Sequence, residues 1–219
     1  MRPSSRPRSP GPRAASPSAR CCWTARAASS PAATTAACRT AISTLHVLAA
    51  ARDRTASKYG IDKVRLGIGI WLGGAAAGEL GPKGAVNFGV AGTAIESAAT
   101  LRALGRTYRT SILVNDGVKR TAERAFRFRP LDPIAIHGSE KSEIIHELVG
   151  EIGIIMPQLP RYLAARAAYI EGDFERAAHL FGEVLREHPH DGPSRLFLRR
   201  AKTLIKSPPK ANWLGVWQG

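Results

Sequence analysis

Three groups of residues have types and spacings that could do chemistry. Gly67, Gly69, Gly73 and Gly74 crowd one apolar run, and a glycine-rich loop after a strand can bring backbone N–H groups against a pyrophosphate. The spacing is G-x-G-x-x-x-G-G rather than G-x-G-x-x-G, and no acidic residue closes a following strand about 20 residues later. Close backbone packing is the better reading. His188, His190 and Asp191 fall in one turn and could meet a metal ion, but polar turns are expected between helical segments. His137 and His146 fall in two predicted strands, where pairing across the sheet accounts for them. We assign no metal site. Cys21, Cys22 and Cys38 are odd in number, two of them adjacent, with no acid or His beside them. They suit neither a disulfide framework nor zinc, and they read as reduced thiols of a cytoplasmic chain.

Charge narrows the classes further. The chain has 219 residues with 32 Lys+Arg against 17 Asp+Glu, a net charge of +15. Residues 1–40 hold Arg2, Arg6, Arg8, Arg13, Arg20, Arg26 and Arg39 and no Asp or Glu, so close to half of that excess sits in one segment. Its Pro, Ser, Ala and Arg show no periodicity and are expected to stay disordered. The same vocabulary arises from a misplaced start or a frame slip in GC-rich DNA. Arg195, Arg199 and Arg200 share a face of the last predicted helix and read as solvated, with no interleaved aromatics to favour nucleic acid. The longest apolar run, Leu66 to Gly78, is about 13 residues, short of the ~20 of a membrane span.

The elements that must position these groups follow from periodicity. Ile42, Leu45, Leu48 and Ala49 predict a helix from Ala41 to Ala51. "KVRLGIGIWLGG" alternates as a strand, and after a tight turn at Gly81–Gly84 "AVNFGVAG" returns as its hairpin partner. Thr93-Ala94-Ile95-Glu96 has the form of a capping box, with Thr93 as N-cap, opening a helix that stops near Gly105–Tyr108. "TSILVND" is a strand, "GVKRTAERA" a short helix, and "FRFRPLDPIAIHG" and "SEIIHELVGE" two further strands. The pattern predicts an α+β fold with helices on one face of a sheet. Beyond Glu151, "RYLAARAAYIEGDFERAAHLFGEVLREHP" gives two amphipathic helices joined at Gly172-Asp173. Ala165, Ala177, Phe181, Val184 and Pro189 fall at the positions of a tetratricopeptide (TPR) repeat. A single copy cannot bury its own face, so it must dock on the preceding domain or on further sequence.

The run "VRLGIGIWLGGAAAGELGPKGAVNFGVAGTAIESAATLRAL", with "TSILVND" and "FRFRPLDPIAIHGSEKSEIIHELVGE" after it, resembles the later part of class III adenylate/guanylate cyclase catalytic domains. The TPR-like helices resemble the C-terminal extension of bacterial multidomain adenylate cyclases. The resemblance implies a ferredoxin-like cyclase sandwich lacking its first half. It divides the chain into a tail at 1–40, a partial cyclase domain at 41–151, TPR-like helices at 152–206 and a C-terminal tail at 207–219.

Family members cyclise a nucleoside triphosphate with two metal ions held by aspartates of the first half. Here the first aspartate is Asp53, so no metal or cofactor is expected for this chain, whereas intact relatives use Mg or Mn with ATP. The resemblance also places a base-contacting residue at Gly89, a ribose-orienting residue at Glu96 and a phosphate-stabilising arginine at Thr100, so no catalytic position is intact. Loss of one such charge contact typically costs about 10²–10³ in rate. The expectation is a cyclase relative impaired in catalysis, self-associating or pairing with another cyclase domain. The alternative is a non-enzymatic TPR-type interaction module. A missing first half would also leave an apolar sheet face uncovered.

Overall fold

The computed structural model describes residues 32–43, 67–80, 87–135 and 142–209, together with Trp213, Gly215 and Trp217. The expected turn at Gly81–Gly84, most of the 41–51 helix, His137, Cys21, Cys22 and residues 1–31 lie outside them. The fold is α+β. Helix α1 (residues 32–43) is followed by β1 (Ile68–Ile70), β2 (Ala76–Leu80), β3 (Asn87–Ala91), α2 (Thr93–Tyr108), β4 (Ile112–Asn115) and α3 (Asp116–Ala122). Strands β5 (Phe126–Ala135) and β6 (Ser142–Glu151) precede α4 (Leu159–Glu171), α5 (Phe174–Glu187) and α6 (Gly192–Lys206).

The main sheet has the order β1-β4-β6-β5, and β2 and β3 form a separate antiparallel pair. Strand β1 runs parallel to β4, while β6 is antiparallel to both β4 and β5. The expected hairpin therefore exists with a different first strand: β3 pairs with Ala76–Leu80, and β1 belongs to the main sheet. Strand β5 contains Pro130 and Pro133, which lack a ladder donor, and accordingly it lies at an edge. Its register with β6 shifts between those two prolines, leaving Leu131 and Asp132 as a bulge opposite Ile145.

Both faces of this sheet are covered, where the sequence predicts helices on one. Leu113, Leu131 and Ile145 face a core built with α2, α4, α5 and α6. Ile112, Val114, Phe126 and Leu148 face the opposite way onto Val118 and Ala122 of α3 and Cys38 and Ala41 of α1. Residues 32–40, expected to be disordered, are thus helical and packed. Alanine has the highest helix propensity, and Thr34, Cys38 and Ala41 are all buried at i, i+4 and i+7. That spacing makes one stripe, and Cys38 and Ala41 of the stripe pack on the sheet face of Ile112, Val114, Phe126 and Leu148. Burial raises the Cys38 thiol pKa to about 12.

The glycine run does the packing expected of it. A Cβ on Gly69 would stand 2.0 Å from the Ala98 carbonyl oxygen and 2.7 Å from the Arg102 nitrogen, both in α2. Helix α2 therefore lies directly on the β1 backbone. The C-terminal helices dock on this layer through Tyr162, Tyr169, Phe181 and Phe197. Phe181 and Phe197 stack at 5.4 Å, and Tyr162 meets both rings edge-on. Gly172, at φ 86°, ends α4, and the Asp173 side chain accepts from the Arg176 backbone to open α5.

Candidate nucleotide site and three buried polar clusters

Gly89 faces Gly78 across the β2–β3 pair. Two glycines on one rung present no side chain from either strand. The chain then turns at Gly92, whose φ of 145° and close approach to Ala75 and the Gly74 carbonyl exclude a Cβ. Gly92, and not Thr93, is the N-cap of α2, and no side chain caps the helix. The expected capping box does not form because the backbone can make this turn only at the glycine, which starts the helix one residue early. Glu96 lies in the first turn, where a carboxylate complements the helix dipole. Thr100 stands one turn on, and both are exposed. The Thr100 hydroxyl donates to the Glu96 carbonyl at 2.9 Å.

Sequence reasoning missed three buried polar clusters. In the first, Asn115 joins three elements. Its Oδ1 accepts from Leu72 N at 3.1 Å and Val118 N at 3.2 Å, and its Nδ2 donates to Leu72 O and Glu143 Oε1, each at 3.1 Å. Next to it, His146 Nε2 meets Asp116 Oδ1 at 3.1 Å. The Asp116 carboxylate, not the cross-strand neighbour expected from sequence, is the partner of His146. Burial lowers the His146 pKa, opposed by Asp116, with Lys119 and Arg166 adding to the decrease.

In the second cluster, Arg129 of β5 donates to Glu147 Oε2 and to Asp191 Oδ1, both at 2.6 Å. Its guanidinium lies 4.8 Å from the Tyr162 ring centroid. Asp191, read from sequence as part of a turn, also caps α6 by accepting from Ser194 N at 3.0 Å. The third cluster joins Asp132 of the β5 bulge to Tyr108 and Arg200, both of which donate to Asp132 Oδ2. Arg200 is therefore buried and paired, a correction to the solvated face expected for it; Arg195 and Arg199 are exposed. Its one sequence signal was the i+4 spacing from Leu196, which places Arg200 on the apolar side of α6.

The bulge also explains how the helices are held. The Pro130 carbonyl accepts from Tyr162 Oη at 2.9 Å, and the Leu131 carbonyl from Arg166 Nε at 2.6 Å. Where the β5 ladder is interrupted, α4 supplies the missing donors. Ala165, Ala177, Phe181 and Val184 are fully buried at this junction and within the helical hairpin, while Pro189 is exposed.

No protein-family model matches the chain, and no curated protein matches it. Among solved structures, the adenylyl cyclase CyaB from P. aeruginosa is similar, at 16% identity and a TM-score of 0.50. The match covers 58% of this chain and 64% of that one, so this chain spans less than two thirds of the solved cyclase. The likeness is one of fold: the chain has a cyclase-like α+β architecture. Among the described residues no helix is long and apolar enough to cross a membrane.

Proposed function

We propose that this chain is a degenerate class III adenylate/guanylate cyclase domain with a TPR-like extension, impaired or inactive in catalysis when alone. The cyclase-like fold and the order of the β3–turn–α2 segment support the ancestry. The observation that carries the loss of activity is that an exposed Glu96 and a Thr100 hydroxyl bonded to the Glu96 backbone carbonyl occupy the positions that the resemblance gives to ribose and phosphate handling. A carboxylate there repels a triphosphate, and a threonine supplies no charge to the transferring phosphate. The Gly78–Gly89 rung offers no side chain to a base. These residues do not fit a metal-bound nucleoside triphosphate.

The test is cyclic AMP formation from ATP with Mg²⁺ or Mn²⁺, measured on the full chain over a dilution series. No product above background is expected; turnover that persists at monomer concentrations would overturn the reading. The alternative, a TPR-type interaction module using the cyclase remnant to dimerise, draws on the exposed Ile155 and Leu163. Light scattering on the parent and on Ile155→Asp tests the module, which requires a stable dimer that loss of this exposed side chain disrupts; a dimer left intact by the change would exclude that surface.

A further inference from the structure

A cavity of about 550 Å³ lies between α2, β5 and α6, within the size range of small-molecule sites. Leu104, Ile134, Leu196 and Trp217 give it apolar walls. Its one acidic lining residue, Asp132, is already neutralised by Arg200 and accepts a hydrogen bond from the Tyr108 hydroxyl. The Arg200 guanidinium in turn lies 5.2 Å from the Trp217 ring centroid.

Arg199 changes the character of this cavity. It lines the same space and is exposed. Its guanidinium makes no hydrogen bond or ion pair with a described residue, whereas Arg195, one turn earlier, is tied to the Pro189 carbonyl. Thr107 of α2 brings a hydroxyl to the same wall. The cavity therefore combines an unspent planar cation, a neutralised acid and aromatic and aliphatic walls.

We infer that this cavity binds a small organic anion with a planar apolar body. The body packs against Leu104, Ile134 and the Trp217 indole, and the anionic group meets Arg199 with the Thr107 hydroxyl beside it. A guanidinium accepts carboxylate and phosphate oxygens in the same forked geometry, so anion chemistry rather than one acid type defines the ligand. The site is separate from Gly89, Glu96 and Thr100, and it does not depend on nucleotide turnover.

The test is titration calorimetry on the full chain with three probes sharing one ring system: 2-naphthoate, 2-naphthyl phosphate and 2-naphthamide. Saturable binding is expected for at least one anion, and the stronger of the two tells carboxylate from phosphate. Arg199→Ala, a change at an exposed side chain, should weaken it at least about tenfold, the usual weight of a charge-assisted hydrogen bond. Thr203→Trp, which fills the cavity while leaving Arg199 in place, should abolish it. The proposal fails if neither anion binds, if the amide binds as well as the anions, or if Arg199→Ala leaves the affinity unchanged.

Discussion

Arg129 stands between Glu147 and Asp191 with its side chain 2% exposed, and the balance of that cluster depends on all three charges. Replacing Arg129 with Met leaves two carboxylates without their cation in a buried setting, which typically costs about 3–5 kcal/mol. Urea unfolding of Arg129→Met should show that loss, and a variant as stable as the parent would remove the cluster from the account. His146 gives a pH-dependent counterpart. Its folded pKa lies below the unfolded value of 6.5, so between those values the unfolded chain binds the proton first. Its contribution is complete above the unfolded pKa and is lost as pH falls below it. Unfolding free energies between pH 7.5 and 5.5 should decline more steeply for the parent than for His146→Gln, and equal slopes would exclude the mechanism. Neither cluster is legible in the sequence, because each joins residues far apart in the chain.

At the scale of elements, the seat of α2 on β1 rests on a glycine. Gly69→Ala forces a methyl into the Ala98–Arg102 backbone, and overpacking of this kind usually costs about 1–3 kcal/mol or more. Gly74→Ala is the matched control, since nothing lies within 4 Å of a Cβ there. Thermal melts should show a clear loss for the first and little change for the second. The packing role of this run follows from its departure from the dinucleotide spacing. The start of α2 does not follow from its sequence, because Thr93-x-x-Glu96 satisfies the local pattern of a capping box. The contact between Gly92 and Ala75, seventeen positions apart in the chain, decides the turn instead. Similarly, residues 32–40 look like a tail by composition, yet the Thr34–Cys38–Ala41 stripe finds a sheet face to cover.

For the whole molecule, the helical extension is part of the cyclase-like unit rather than an appendage. Its donors complete the Pro130 and Leu131 carbonyls, and its Asp191 and Arg200 neutralise Arg129 and Asp132. A chain ending at Ile154 should lose cooperative unfolding, because these groups would be left without partners and the face of Leu113, Leu131 and Ile145 would be exposed. A sharp melt for that shortened chain, followed by circular dichroism, would contradict the shared core.

By itself the sequence determined the α+β class, the helix and strand succession from Asn87 onward and the helical hairpin at Gly172-Asp173. Those features are local, set by hydrophobic periodicity and turn chemistry along a few consecutive residues. The tertiary structure alone decided which strand pairs with β3, that helices cover both sheet faces, and that Arg129, Asp132, His146 and Arg200 are buried with opposite charges. Burial and charge pairing are properties of residues brought together from distant positions, and beyond the i+4 spacing of Arg200 from Leu196 no periodicity along the chain records them.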